Sequence, residues 1–157
     1  MQGNPIFMRQ AIELATENVV SGRGGPFGAV IVHEGKVLAT GANQVTSTND
    51  PTAHAEVVAI RNACTTLAAF QLRGCQIYTS CEPCPMCLAA IYWAHCDAIF
   101  YGNTANDAAE AGFDDRMLYE EMTRPHAARR TTISMLLHDE ALSSFAAWKA
   151  LPIRIVY

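Results

Sequence analysis

Two hydrophobic periodicities alternate along the chain. Phe7, Ala11, Leu14, Ala15 and Val19 recur at helical spacing, which predicts one helix with a single buried face. Asn4 followed by Pro5 supplies its start, a capping side chain and then proline at the first helical position. Gly22 and Gly24-Gly25 stop it. Residues 27–32 form a short apolar strand, 33–36 a turn and 37–41 a returning strand, together a β-hairpin. Residues 43–51 are polar and loop-like. Helical spacing returns over 53–67 through Ala55, Val58 or Ala59, Ala63 and Leu67. A third strand is expected over 75–79, a buried helix over 86–94 after Pro83 and Pro85, and a fourth strand over 98–101. Residues 102–115 are expected to form a long loop, 116–122 one or two helical turns, 132–137 a fifth strand and 140–151 a last helix.

Strands and helices thus alternate without a repeat or a linker. That order predicts an α/β fold: one three-layer α/β/α domain over 1–157, with a mixed five-stranded sheet flanked by helices. Residues 151–157 form a C-terminal tail. Five of the last seven residues (Leu151, Pro152, Ile153, Ile155 and Val156) are nonpolar, and Tyr157 follows them. Such a tail is poorly suited to lying free in water, although chain ends commonly fray.

Composition narrows the class. A length of 157 residues and a hydrophobic fraction of 50% suit one packed domain. No apolar run reaches the roughly 18 residues of a membrane span. The segment Gln2-Gly3-Asn4-Pro5 carries no apolar signal core, so a cytoplasmic location is expected. The net charge is −4 and the basic residues are scattered, apart from Arg129-Arg130. A protein that grips a nucleic acid backbone shows a basic patch instead, so a small substrate is expected and no nucleic acid partner. Six cysteines stand at 64, 75, 81, 84, 87 and 96. In a reducing compartment such a set means core thiols plus metal ligands.

The chemistry concentrates in His54-Ala55-Glu56 and Pro83-Cys84-Pro85-Met86-Cys87. Zinc takes imidazole nitrogen and thiolate sulfur, and a catalytic zinc keeps three protein ligands with water in the fourth position. Cysteines at i and i+3 on a helix start share one face, and the helix N-terminus favours their thiolates. His54 opens the other predicted helix, so two helix N-termini converge on one cation. Glu56 is too close in sequence to His54 to serve as a convenient fourth ligand and is placed to act as a general base. Metal binding lowers the pKa of a bound water from about 15.7 toward about 7. Glu56 would take the proton of that zinc-bound hydroxide's parent water, deliver it to a ring nitrogen and help expel ammonia. His-x-Glu with Pro-Cys-x-x-Cys is the pattern of zinc-dependent nucleobase deaminases. A structural zinc would recruit Cys81 as fourth ligand, but that leaves His-x-Glu unexplained.

The stretches Gly24-Gly25-Pro26-Phe27-Gly28-Ala29, Asn49-Asp50-Pro51-Thr52-Ala53-His54-Ala55-Glu56, Thr79-Ser80-Cys81-Glu82-Pro83-Cys84-Pro85-Met86-Cys87 and Ala111-Gly112-Phe113-Asp114-Asp115 resemble the bacterial guanine deaminases of the cytidine deaminase superfamily. The zinc motifs belong to the whole superfamily. The Gly-Phe-Asp-Asp loop and the C-terminal tyrosine narrow the resemblance to guanine. It implies one Zn2+ per subunit on His54, Cys84 and Cys87, with Glu56 and Asp115 catalytic. It further implies that Asn43 and the Ala55 N–H bond the purine, that Phe27 and Trp93 sandwich it, that Asp115 faces its edge, and that Tyr157 closes the pocket. A homodimer with exchanged C-terminal segments is implied as well.

Elementary chemistry supports part of this. Guanine presents N1–H and a 2-amino group as donors, and an ionised carboxylate is an acceptor for both. Other roles stay open at the level of residues: Asn43 as a turn residue, Phe27 as a core aromatic, and Asp114 as a cap ahead of Arg116. A tRNA adenosine deaminase shares the fold, motifs and chemistry, but the acidic chain and the Gly-Phe-Asp-Asp loop are unfavourable to it. A non-catalytic module with a structural zinc is the alternative from another class.

Overall fold

The computed structural model describes residues 2–156, and the chain divides into two compact units, Met1–Arg116 and Met117–Tyr157. The first unit is built on a four-stranded sheet. In chain order it contains α1 (Pro5–Val20), β1 (Gly28–His33), β2 (Lys36–Ala42), α2 (Val45–Thr48), α3 (Ala55–Leu67), β3 (Cys75–Cys81), α4 (Pro85–Trp93), β4 (Ala98–Asn103) and α5 (Ala105–Glu110). The strand order is β2-β1-β3-β4. β1 pairs antiparallel with β2 and β3, and β4 runs parallel to β3, so the sheet is mixed.

The alternation of side chains on β1 separates the layers. Ala29 and Ile31 face a core shared with Ala55, Ala59 and Ala63 of α3, Ile77 of β3 and Ile91 of α4. Val30 and Val32 face the other way, against Ala11 of α1 and Tyr78, with Phe7, Met8, Leu14 and Phe100 around them. Helices therefore cover both faces, as expected. Full burial of a Val, Ile or Leu side chain contributes about 1.5–3 kcal/mol, and Val30, Ile31 and Ile77 are all wholly buried. Tyr78 is buried too and fastens the start of α1: its hydroxyl accepts the Asn4 N–H at 3.0 Å while its ring stacks on Phe100 at 4.8 Å. Asn4 Oδ1 accepts the Ile6 N–H at 3.0 Å, and Pro5 occupies the first turn, as the cap signal predicts.

The β1–β2 turn is the two-residue loop Glu34-Gly35, with φ of 50° and 73°. Positive φ at both positions gives the twist that a tight hairpin needs. Two glycines set the closest helix-to-sheet approaches. A Cβ on Gly41 would lie 2.2 Å from the Ala55 carbonyl oxygen and 2.5 Å from the Ala59 nitrogen. A Cβ on Gly28 would lie 2.4 Å from the Ala11 carbonyl oxygen. Each removes a side chain where a helix backbone lies against a strand.

Three expectations need correction. The fifth strand over 132–137 does not form, and the sheet has four strands. Residues 132–137 have the apolar content of a strand but no ladder partner, and all are exposed; extended backbone becomes sheet only when its N–H and C=O groups are paired. The stretch 102–115 is not all loop, because Thr104 and Asp107 form a capping box that starts α5. The polar stretch 43–51 contains the single turn α2.

The second unit holds most of α6 (Arg116–Thr123), a 3₁₀ turn at His126–Ala128 and α7 (His138–Ala150). Glu121 is its electrostatic centre. One carboxylate oxygen meets Arg124 at 2.8 Å, and the other accepts the Arg130 N–H at 2.8 Å. α7 begins two residues before the predicted start, with Asp139 and Glu140 in its first turn and Lys149 in its last, the charge order that complements a helix dipole.

Replacing Gly41 by alanine is expected to lower unfolding stability in urea by about 2 kcal/mol or more, the scale of overpacking against backbone. An unchanged midpoint would mean that α3 does not sit as closely on β2 as described.

Candidate metal and base-binding site

Both metal-binding segments sit at helix starts. His54 is the N-cap of α3 and Cys84 the N-cap of α4, and neither side chain makes a capping hydrogen bond. N-cap positions usually hold Ser, Thr, Asp or Asn, whose oxygens satisfy first-turn N–H groups. Here the cap side chains turn instead toward one point. His54 Nδ1 is 3.6 Å from Cys84 Sγ and 3.4 Å from Cys87 Sγ, and the three donor atoms lie within 4.8 Å of one another.

The fit to zinc follows from these distances. Bonds of about 2.3 Å to sulfur and about 2.0 Å to nitrogen at tetrahedral angles put N and S about 3.5 Å apart. The donor set of one imidazole and two thiols is also that of a catalytic zinc with an open fourth position. Cys81 stays outside it. It ends β3, is buried, and directs Sγ to the Thr104 carbonyl at 3.6 Å. Burial, reinforced by the Glu56 charge, pushes its thiol up to about 11.

The Cys84 thiol is instead pulled down to about 4, chiefly by hydrogen bonding from the Cys87 thiol, with help from His54 and the Cys87 backbone N–H. A thiolate at a helix N-terminus is the expected result. Its negative charge and hydrogen bond hold His54 above its ordinary value. Among the described residues no other His, Cys, Asp or Glu group is clustered in this way.

A cavity of about 550 Å³ opens over the metal group. Glu56 lies on its wall, only 6% exposed, and burial raises its carboxyl above the usual glutamate range. Asp115 lines the same cavity, raised first by partial burial and then by the Cys84 charge. Asp114 does not join it: Arg116 bonds both of its oxygens and holds its carboxyl down at about 2. The two acids of one loop are thus divided between a helix cap and the cavity.

Asn43 is 6% exposed and lines the cavity. Its Oδ1 accepts the Val45 N–H at 3.3 Å, which leaves Nδ2 as its available donor. Ala55, the first residue of α3, has an N–H without an intrahelical acceptor. Phe27 lines the cavity and meets Phe113 edge-on, centroids 5.0 Å apart at 85°. Trp93 is not brought there. It ends α4 at 68% exposure, and the aromatic facing Phe27 within the first unit is Phe113. Tyr157 lies outside the described residues.

Two further residues, to which the sequence assigns no role, stand out in and near the cavity lining. Glu82 lines it and accepts the Ala105 N–H at 3.1 Å, tying the start of α5 to the metal loop. Asn18 is a buried amide on α1 whose position in line with Ala11 and Ala15 was the available signal: a polar residue on an apolar stripe.

The sequence and fold have known counterparts. A family model for the cytidine and deoxycytidylate deaminase zinc-binding region matches residues 1–103. The guanine deaminase of Bacillus subtilis is 55% identical over 143 residues, covering 91% of this chain and 92% of that protein. A tRNA-specific adenosine deaminase of Aquifex aeolicus is 36% identical over 144 residues, covering 91% and 93%. The X-ray structure of guanine deaminase from Bacillus subtilis superposes with a TM-score of 0.96 at 51% identity, covering 99% of each chain.

Cys84→Ser is expected to abolish stoichiometric zinc in the purified chain, whereas Cys81→Ser should retain one zinc per chain by elemental analysis. Loss of zinc in both variants would make Cys81 a ligand and the site structural.

Proposed function

Because the chain belongs to the family of the cytidine and deoxycytidylate deaminase zinc-binding region, we propose that it is a zinc-dependent aminohydrolase that converts guanine and water to xanthine and ammonia. The carrying observation is the pair of carboxylates that line one cavity with the metal ligands, Glu56 two residues after His54 and Asp115 on the Gly-Phe-Asp-Asp loop. The 55% identity to a guanine deaminase over 91% of the chain supports guanine over a tRNA adenosine, where the corresponding identity is 36%.

Roles follow from chemistry. Bound zinc supplies Lewis acidity that brings the pKa of water toward neutrality. Glu56 removes a proton from the attacking water and passes it to a ring nitrogen as the oxygen adds to carbon 2. The carbon–nitrogen bond to the 2-amino group then breaks, and a second proton reaches the departing nitrogen so that it leaves as ammonia. Two proton transfers make a second carboxylate useful, and Asp115 is that group. Asp115 also accepts from the N1–H and amino edge of guanine. Adenine presents an acceptor at ring nitrogen 1, and facing that acceptor with a carboxylate would penalise it strongly. Asn43 Nδ2 and the Ala55 N–H donate to the purine, and Phe27 packs on its face.

We also infer that residues 1–157 act as one deaminase domain in a homodimer with exchanged C-terminal segments. In that dimer, 151–157, with Tyr157 at the tip, caps an active site, and Trp93 completes an aromatic wall. Exposed Met135, Leu136, Ile153, Ile155 and Val156 support it, since so many apolar side chains call for a covering surface. So does a cavity larger than a flat bicyclic base fills. No helix of the described residues is long and apolar enough to cross a membrane. All six cysteines are free, which supports a cytoplasmic location.

Ammonia release is expected from guanine and not from adenine, cytosine, guanosine or a tRNA anticodon stem-loop. Glu56→Gln should lower it by about 100-fold or more, the scale of general acid–base catalysis, with zinc retained. Turnover confined to the RNA would keep the chemistry and remove guanine; an active Glu56→Gln would remove the proton shuttle. A base works deprotonated, and burial raises Glu56 above 4.5. The acid limb of kcat/KM is therefore expected above that pH, activity falling as pH drops through it. Deleting residues 151–157 should cut turnover at least about tenfold with zinc content unchanged, as expected when a desolvating cap is removed. Full turnover after the deletion would rule out the capping role, and a monomer in light scattering would rule out the exchange.

A further inference from the structure

Asn18 lies on α1, away from the metal ligands, and is 2% exposed. Its amide nitrogen donates two hydrogen bonds, one to the Gly25 carbonyl at 2.9 Å and one to the Asn43 carbonyl at 2.8 Å. The Gly25 carbonyl also accepts the Phe27 N–H at 2.8 Å, and the Phe27 carbonyl accepts the Asn43 N–H at 3.0 Å. These four bonds close a circuit that runs from Asn18 through Gly25, Phe27 and Asn43 and back to Asn18. Both residues expected to touch the base face of the substrate, Phe27 and Asn43, belong to it. The Asn43 backbone is held on both sides, its N–H by Phe27 and its C=O by Asn18. With that backbone fixed and Oδ1 occupied by Val45, Nδ2 is the amide atom left to donate to a ligand in the cavity that Asn43 lines.

The surroundings are built for this clamp. A Cβ on Gly24 would lie 2.2 Å from the Asn43 carbonyl oxygen and 2.9 Å from Asn18 Nδ2. Only glycine lets the loop pass this close beside the Asn18–Asn43 bond. A buried amide with both hydrogens used is also costly to replace, because two carbonyls lose their donor together.

We propose that Asn18 is a positioning residue for base recognition: it fixes the Gly25–Phe27 loop and the Asn43 backbone against each other and so governs guanine affinity without touching substrate or metal. This rests on the assignment of Phe27 and Asn43 as base-binding residues. It predicts an effect on KM that passes through Asn43.

The test is a double-mutant cycle with steady-state kinetics on guanine, zinc content and thermal melting for each protein. Asn18→Ala is expected to raise KM by about tenfold, the scale of one lost buried hydrogen bond, with kcat within about threefold and one zinc per chain. Asn18→Ser keeps one donor and should fall between Asn18→Ala and wild type; it serves by itself if Asn18→Ala does not fold. In an Asn43→Ala background the same Asn18 change should raise KM by less than about twofold, because coupled residues are not additive. Equal KM effects in both backgrounds, or a fall in kcat or zinc with KM unchanged, would overturn the proposal and leave Asn18 a stability residue. If Asn43→Ala alone leaves guanine KM unchanged, the base-binding assignment fails first and the Asn18 proposal falls with it. That outcome is distinct, since it appears before any Asn18 change is made.

Discussion

The site depends on a substitution of purpose at two helix starts. First-turn N–H groups normally need a side-chain acceptor at the N-cap. α3 and α4 place His54 and Cys84 there, neither of which caps. The uncapped turns keep their partial positive charge aimed at one point, and anionic sulfur gathers where that charge is. Cys87 joins from the first turn of α4, and Glu56 from the first turn of α3. One constraint therefore supplies the ligand set and the position of the carboxylate beside it, and it brings Cys87 and His54 to the thiol of Cys84 that they pull down. The close packing of α3 on β2 at Gly41 keeps the first of those helix starts in place.

The same reasoning explains the division of labour around the cavity. The metal wall comes from α3, α4 and the end of β3. A further part of the cavity lining comes from the loop before β1 and the residues after β2. Glu82 joins the metal loop to α5, beyond which the chain brings Phe113 and Asp115. Cys81, Glu82 and Asn103 stitch that junction together through the Cys81 bond to Thr104 and the Glu82 N–H bond to Asn103.

Much of this was legible in the chain. The spacing of His54, Glu56, Cys84 and Cys87, together with the cap signal at Asn4-Pro5, carries local information that survives folding unchanged. Four strands and the principal helices follow from periodicity for the same reason. The segment 132–137 was not legible, because strand character requires a partner edge that local pattern does not encode. Asn43 and Asp115 were placed in the cavity through resemblance. Their surroundings show the physics: one has a free donor, and the other is the loop acid that Arg116 does not neutralise. Trp93 lies at the exposed end of α4, and the ring that meets Phe27 is Phe113, whose place on the loop after α5 no periodicity encodes. Asn18 was missed because a lone amide in an amphipathic helix looks like an ordinary variation until its two acceptors are seen.

The division at Arg116 also has a consequence in time. Every described residue assigned to the site, from Phe27 to Asp115, lies in Met1–Arg116. Chains emerge N-terminal end first at about 5–20 residues per second, so Met117–Tyr157 takes roughly 2–8 s to follow. A nascent polypeptide thus carries all three metal donors for seconds before the exposed apolar residues of the second unit are made. Capture of the ion during translation would order the helix starts first and shorten the interval in which free thiols meet oxidants.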